Sequence, residues 1–291
     1  MGKKILVLGS TGLIGHQVFN YLKVGGRYDL YNFSYRKKLQ DDTIVLDARN
    51  FDYFCQKIID ISPDFIINCI GVLINGANAD PENAIFLNSY MPHRLARVAD
   101  DIEAKLIHIS TDCVFSGDKT GPYVEQDEKD GRGIYAKTKG LGEIVNDKHL
   151  TLRTSVVGPE LKSDGEELFH WFMNETGDIH GYTDSIWSGV TTLELAKAVK
   201  WALDCHITGL YHVTNNAPIS KFELLSLFQK HTKKNIGIVP VPGRHVDKSF
   251  VDTRLLIDYK IPSYDQMVVD MISLIANNRK LYSQYKLRIH Y

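Results

Sequence analysis

A short apolar run that breaks into three glycines spaced three apart, and then into an amphipathic stretch, constrains this chain more than any other feature. Lys3-Lys4-Ile5-Leu6-Val7-Leu8 reads as a buried strand, Gly9-Ser10-Thr11-Gly12-Leu13-Ile14-Gly15 as a turn, and His16 to Lys23 as a helix. A Gly-x-x-Gly-x-x-Gly turn between strand and helix brings backbone N–H groups to a helix N-terminus, where a pyrophosphate can meet them. Gly9, Thr11, Gly12, Leu13, Ile14 and Gly15 are therefore candidate dinucleotide contacts. The competing reading is a glycine turn that only packs helix on strand, and the βαβ-sized setting favours the dinucleotide.

The alternation continues. Tyr28 to Ser34, Thr43 to Leu46, Asp64 to Asn68, Leu106 to Ser110 and Leu150 to Thr154 read as further strands, and Pro81 to Asp101 as a long helix. This predicts an α/β fold, a doubly wound parallel sheet of Rossmann type over residues 1–160, with ligands at the carboxyl ends of its strands. Residues 161–291 read as a smaller mixed α/β lobe that supplies substrate contacts, with Gly209 to Thr214 as a short strand, and the chain could re-enter the Rossmann sheet. In that lobe Ser220 is placed as an N-cap before Phe222-Glu223-Leu224-Leu225, and Glu166 to Thr176, Thr191 to Leu203 and Tyr264 to Tyr285 read as helical.

At the end of the second strand, where an NAD site places a carboxylate, the chain has Ser34-Tyr35-Arg36-Lys37-Lys38. A hydroxyl at Ser34 and a guanidinium at Arg36 suit a 2′-phosphate, so NADP(H) is the expected cofactor. Asp47 and Ala48 are expected at the adenine edge, and Cys69, Ile70 and Gly71 form a small-residue strand end along which the dinucleotide passes.

The stretch from Lys105 to Asn146 carries the candidate chemistry. Its strand ends in Ser110-Thr111-Asp112, and after a Gly/Asp-rich loop Tyr135 and Lys139 stand four apart on one helical face. A neighbouring cation favours a phenolate, which would let Tyr135 exchange a proton with an oxygen becoming an alkoxide. Thr111 would hold the same oxygen as charge develops. The three describe a carbonyl reduction site, whereas Tyr-x-x-x-Lys without a hydride source would be an ordinary exposed helix. Glu143 reads as a structural residue on the same helix, and Gly140 and Gly142 as concessions to close packing. Asp112 has two open readings, a carboxylate that accepts backbone N–H bonds and a substrate contact.

Composition excludes several classes. A net charge of -1 gives no reason to expect nucleic acid or an anionic membrane, and the apolar run from Ile5 to Leu8 is too short for a signal or a spanning helix. A cytoplasmic protein is expected. Cys55, Cys69, Cys113 and Cys205 are scattered without Cys-x-x-Cys spacing, against a zinc site or a disulfide framework.

Gly9 to Gly15, Asn88 and Pro92, Ser110-Thr-Asp-Cys-Val-Phe-Ser-Gly117 and Tyr135-Ala-Lys-Thr-Lys139 with Gly142-Glu143 together resemble the extended short-chain dehydrogenase/reductases. The branch they look most like is the dTDP-4-dehydrorhamnose reductases and related nucleotide-sugar reductases, over roughly the first 160 residues. The resemblance implies NADP(H), a 4-keto-6-deoxy nucleotide sugar as substrate, a role in deoxysugar biosynthesis for surface polysaccharide, and Thr111, Tyr135 and Lys139 as the catalytic set, with Lys139 also holding the nicotinamide ribose. A homodimer is compatible with it.

Two departures matter. Gln17 stands where some members have an acidic residue that helps bind a metal, so no metal is expected. Cys113 replaces the tyrosine usual in the rhamnose pathway, and stands where the related 4,6-dehydratases carry a glutamate, so dehydration is not expected. Cys113 is a candidate substrate contact, and resemblance to the GDP-fucose synthases leaves open an epimerase-reductase with His170 or His180 as the acid. The wider family also includes a non-catalytic regulatory partner of an adenosyltransferase. Trp187 is a candidate for stacking on the substrate, with core packing as the alternative; Arg244, Lys248 and Arg254 are cations available to a pyrophosphate or to solvent.

Overall fold

The computed structural model describes residues 2–119, 121–254 and 259–287. Strands β1 (Lys4–Leu8), β2 (Asp29–Ser34), β3 (Ile44–Val45), β4 (Phe65–Asn68), β5 (Lys105–Thr111) and β6 (Leu150–Thr154) join the strand Gly209–His212 in one 7-stranded sheet. From one edge the order is Gly209–His212, β6, β5, β4, β1, β2, β3, and every neighbouring pair is parallel. This is the expected doubly wound α/β fold.

The two faces can be read residue by residue along β1. Ile5 and Val7 enter a core with Ile67, Ile107, Ile109 and the helices Thr192–Asp204 and Tyr264–Asn277, while Leu6 and Leu8 enter a second core with Ile66, Leu106 and the helices Phe51–Ile61 and Met91–Asp101. All four β1 residues from Ile5 to Leu8 are fully buried, each contributing about 1.5–3 kcal/mol against exposure. A strand covered on both faces has no polar alternation, which is why its sequence reads as a continuous apolar run.

Several boundaries differ from expectation for local reasons. The long helix from Pro81 is three pieces, Pro81–Ala84, a wide π turn Ile85–Tyr90 and Met91–Asp101. The wide turn holds Asn88, whose side chain accepts from Val72 N at 2.8 Å and donates to the Val72 carbonyl at 3.0 Å and the Thr138 hydroxyl at 3.2 Å. The helix Ile134–Leu141 stops at Gly142, so Glu143 lies beyond it and not on its face. A Cβ on Gly142 would stand 1.8 Å from the Asn88 carbonyl oxygen, whereas one on Gly140 would meet nothing closer than 3.4 Å. Close packing therefore explains Gly142 alone. The last helix ends at Asn277, and the chain reaches Tyr285 through turns.

Outside the main sheet the described residues form three small sheets: Val156–Val157 with Val190–Thr191, Ile179–Tyr182 with Ile238–Val241, and one of three strands. Ser185–Trp187 is the middle strand of three, antiparallel to Ile219–Ser220 and parallel to Val246–Asp247. Ser220 then caps the helix Lys221–Thr232 in a capping box with Glu223.

Candidate active site

The glycine loop is built for close approach. A Cβ on Gly15 would lie 2.1 Å from the Gly9 carbonyl oxygen, and one on Gly9 would press on Cys69 and Ile70 at 3.1–3.3 Å; Gly9 itself has φ +80. The loop thus runs directly against the end of β4, bringing Gly9, Cys69 and Ile70 together, with the helix Gly15–Lys23 opening behind it. Gly71 continues this edge: a Cβ there would sit 4.0 Å from the Lys139 ammonium.

At the end of β2, Ser34 and Arg36 have different surroundings. The Ser34 hydroxyl is buried and donates to the Lys37 carbonyl at 2.6 Å, so it braces the turn; Arg36 is exposed and lies over the Tyr35 ring at 4.7 Å. Arg49, which sequence reasoning did not single out, joins them: it donates to the Tyr35 hydroxyl at 2.8 Å and forms a 2.6 Å ion pair with Asp47. That guanidinium holds the Asp47 carboxyl below its ordinary range. Ala48, beside it, is buried.

Thr111 and Tyr135 interact at the end of β5, and Lys139 reaches the same strand at Ile109 and the β4 edge at Gly71. The Thr111 hydroxyl donates to Asp112 Oδ1 and accepts from Cys113 N, both at 3.1 Å, and its hydrogen bonding acts on Tyr135. Burial raises the Tyr135 phenol well above its ordinary range, Cys113 and Asp112 add to this, and the Thr111 hydroxyl opposes it. Lys139 is buried and donates to the Ile109 carbonyl at 2.8 Å; burial lowers its pKa to about 8. The sequence led us to expect Lys139 to depress Tyr135. The ammonium instead donates to the strand at Ile109, and the phenol's environment is set by desolvation.

Beneath the site, Glu143 accepts from Ser110 Oγ at 2.6 Å and from Arg153 Nε and Nη2 at 2.8 and 2.7 Å. Burial alone would raise the Glu143 carboxyl, but the Arg153 guanidinium outweighs it and holds the group below its ordinary range. Arg153 goes on to His212 Nε2 at 2.9 Å and lies over the Phe115 ring at 4.9 Å. This buried chain of charges ties β5, β6 and the strand Gly209–His212 together directly below Thr111.

The substrate side places the remaining candidates. Burial pushes the Cys113 thiol up to about 11, and the nearby Asp112 carboxylate adds to this, which opposes a thiolate base. Both ring nitrogens of His170 are engaged, with the Tyr285 hydroxyl at 2.7 Å and the Ser163 carbonyl at 3.2 Å, and His180 is exposed on the strand Ile179–Tyr182. Neither histidine is arranged as an acid for Cys113. Arg254 is also accounted for: it donates to the Leu210 and Thr208 carbonyls at 2.9 and 3.4 Å and lies over the Tyr211 ring at 4.2 Å, so it braces a strand. Arg244 is exposed.

Trp187 is 3% exposed and packs at a tilt of 37° against Tyr264, and its indole N–H has no hydrogen-bond partner among the described residues. The Lys221 ammonium lies 5.1 Å from the centre of its ring. Sequence reasoning passed over Lys221 and Glu167. The legible signal for Lys221 was a cation in the first turn of a helix, against the dipole. Glu167 caps the helix Leu168–Asn174, accepting from Phe169 N at 2.8 Å, and burial pushes its carboxyl up to about 8. Behind this sheet the register-paired Ile186, Ser220 and Asp247 line a cavity of about 470 Å³ with Phe250.

Residues 3–248 match the model of the RmlD substrate binding domain. The chain belongs to that family. Members of the RmlD family and related proteins similar to it include the spore coat polysaccharide biosynthesis protein SpsK of Bacillus subtilis, 28% identical with 82% of each chain covered. The dTDP-4-dehydrorhamnose reductase of Escherichia coli is 26% identical, covering 86% of this chain and 89% of the relative. The beta subunit of methionine adenosyltransferase 2 of Xenopus tropicalis is 27% identical, covering 77% and 70%. Among solved structures, dTDP-4-dehydrorhamnose reductase of Bacillus anthracis in complex with NADP superposes with a TM-score of 0.81 over 94% of this chain and 100% of that one, at 24% identity. That likeness establishes the RmlD-type fold.

Proposed function

We propose that this RmlD-family chain is an NADPH-dependent reductase of a 4-keto-6-deoxy nucleotide sugar, acting in deoxysugar biosynthesis for surface polysaccharide. The observation that carries this is the convergence on one sheet edge of the interacting Thr111 and Tyr135 at the end of β5, of Lys139 on Ile109 and near Gly71, and of the Gly9–Gly15 loop against the end of β4. The cradle fits a dinucleotide, because Cβ atoms at Gly9 and Gly15 would close it. Gly9, Thr11, Gly12, Leu13, Ile14 and Gly15 would hold the pyrophosphate, Arg36 and Arg49 the 2′-phosphate over the Ser34 turn, Asp47 and Ala48 the adenine edge, and Cys69, Ile70 and Gly71 the nicotinamide side.

Bound NADPH supplies the hydride. The protein supplies the rest. Thr111 hydrogen-bonds the ketone oxygen, and that bond strengthens as the oxygen gains charge. Tyr135, kept protonated at neutral pH by its burial, gives its proton to that oxygen. Lys139, fixed on the Ile109 carbonyl and charged below about pH 8, stands ready for the ribose hydroxyls, and its existing positive charge favours the phenolate that Tyr135 leaves when it gives up its proton. Trp187 and Cys113 wall the sugar pocket.

The similarity to the Xenopus subunit keeps a second reading in view, an NADP-binding regulatory subunit. A panel of 4-keto nucleotide sugars decides between them: oxidation of NADPH with at least one establishes the reductase, and NADPH binding without oxidation of any leaves the regulatory reading. We further propose a homodimer, supported by the exposed apolar side chains Leu141 (68%), on the helix that packs against the wide turn Ile85–Tyr90, and Val145 (66%) just beyond it. Sedimentation of a Leu141→Glu variant as monomer, against dimeric wild type, would test it. A cytoplasmic location is proposed from composition; among the described residues no helix is long and apolar enough to cross a membrane.

A further inference from the structure

Behind the glycine loop the second lobe reaches into the first. The turns that follow the helix Tyr264–Asn277 bring Tyr282 against the helix Gly15–Lys23, where His16, Gln17 and Tyr282 are each no more than 2% exposed. His16 Nδ1 lies 2.7 Å from the Gly12 carbonyl oxygen and Nε2 lies 3.0 Å from the Tyr282 hydroxyl, while Gln17 Nε2 donates to that hydroxyl. Burial lowers the His16 pKa to about 4, so the ring is neutral at pH 7.

The acceptors then fix every proton in this chain. A carbonyl only accepts, so Nδ1 carries the imidazole proton and Nε2 is left as an acceptor. The Tyr282 hydroxyl donates its one proton to Nε2, and its oxygen accepts the N–H of Gln17. An amide suits position 17 for this reason: a carboxylate there could only accept, and would draw the Tyr282 proton away from His16.

The chain of donors ends on the peptide between Gly12 and Leu13. The Gly12 carbonyl and the Leu13 N–H belong to one planar unit and point opposite ways. Among the described residues the N–H groups of Thr11, Leu13 and Ile14 have no backbone partner, whereas that of Gly12 is taken by the Gly9 carbonyl at 2.9 Å. The backbone N–H of His16 reaches the Gly12 oxygen only at 3.2 Å, against 2.7 Å for the ring. A buried imidazole that holds this oxygen therefore turns the Leu13 N–H away from the interior.

We propose that His16 and Tyr282 are positioning residues for the cofactor, a brace from the second lobe that holds the Gly12–Leu13 peptide with its N–H toward the pyrophosphate. This rests on the reading of the Gly9–Gly15 loop as a dinucleotide site and adds to it two side chains that lie behind the loop. Affinity for NADP(H) then depends on a hydroxyl 266 positions beyond His16.

Calorimetry with three ligands tests the brace without turnover: NADP⁺; 2′-phosphoadenosine diphosphate ribose, which keeps the pyrophosphate and lacks the nicotinamide; and adenosine 2′-monophosphate, which has no pyrophosphate. Tyr282→Phe removes only a hydroxyl, and should weaken the first two by about three- to tenfold, the range for one neutral hydrogen bond, with adenosine 2′-monophosphate unchanged. His16→Phe should weaken the same two by about tenfold or more. His16→Asn, whose amide N–H can stand where the Nδ1 proton stood, should recover most of that loss. A loss shared by all three ligands marks a general disturbance of the lobe, and unchanged affinities in Tyr282→Phe and His16→Phe mark an idle contact; either result overturns the proposal. A wild type that binds none of the three overturns the dinucleotide reading itself, and the brace with it.

Discussion

Lys139 directs its ammonium at the carbonyl oxygen of Ile109, 2.8 Å away, and not at Tyr135, four residues back on the same helix. The interaction ties the helix to the strand that presents Thr111, and it leaves a buried amine whose pKa is about 8. Its positive charge is present below that pH and lost above it. Affinity for NADPH should therefore fall as pH rises through about 8, and Lys139→Met should bind weakly with no such fall, as measured by cofactor fluorescence. For stability the sign is reversed: the unfolded chain binds more protons between pH 8 and the ordinary lysine value, so this residue favours folding more as pH rises.

Tyr135 sits with its proton on. Replacement by Phe should lower turnover by roughly 10²–10⁴-fold, the range for a positioned acid–base group, with NADPH affinity preserved. A Phe variant that turns over normally would remove the phenol from the mechanism.

Cofactor choice should lie with the exposed guanidiniums at the end of β2. Arg36→Ala is expected to weaken NADPH by about tenfold and NADH hardly at all, because only the 2′-phosphate forms charge-assisted bonds there. Asp47→Asn, which releases Arg49 from its ion pair, should strengthen NADPH binding. Equal affinity of the wild type for the two cofactors would defeat the assignment.

The Glu143–Arg153 pair is nearly solvent-free, with side-chain exposures of 1% and 2%. Removing Arg153 leaves the buried Glu143 carboxylate with only the more exposed Lys129 ammonium at 3.3 Å, so Arg153→Met should destabilise by about 3 kcal/mol in urea unfolding. Glu143→Gln with Arg153→Met should cost less than the sum of the two singles. Acid acts on the same chain through His212, whose pKa burial lowers to about 4. The unfolded chain binds the extra proton between the ordinary histidine value and 4, so stability should fall across that window as pH drops, by about 1.4 kcal/mol per pH unit for this group. His212→Gln should flatten the slope.

The two glycines after Lys139 should separate cleanly. Gly142→Ala drives a methyl into the Asn88 backbone and should destabilise strongly, whereas Gly140→Ala, inside the helix with room for a methyl, should stabilise by up to about 1 kcal/mol. Thermal melting of the two proteins distinguishes them.

The sheet was legible because a strand covered on both faces writes itself as an apolar run, and the glycine loop because its backbone approach admits no side chain. The trio at Thr111, Tyr135 and Lys139 was legible through helical spacing, since residues four apart share a face. What spacing cannot convey is which atom a long side chain reaches, and so Lys139 on Ile109, Arg254 on the Leu210 and Thr208 carbonyls and Ser34 on Lys37 came only with the structure. Lys221 and Glu167 were missed because they lie far in sequence from any motif, and the small sheet that brings Lys221 to Trp187 has strands of two or three residues, too short for periodicity to register.

The strand Gly209–His212 gives the molecule a shared seam. It is made by the lobe that would choose the substrate, yet it closes the edge of the sheet that would hold the cofactor, beside β6 and its buried Arg153. A cut near residue 160 would strip that edge and leave β6 as an open template for other chains. Swapping specificities between relatives by exchanging whole C-terminal halves should then give aggregates, and productive chimaeras should exchange the segment around Trp187 while leaving residues 209–212 with their host.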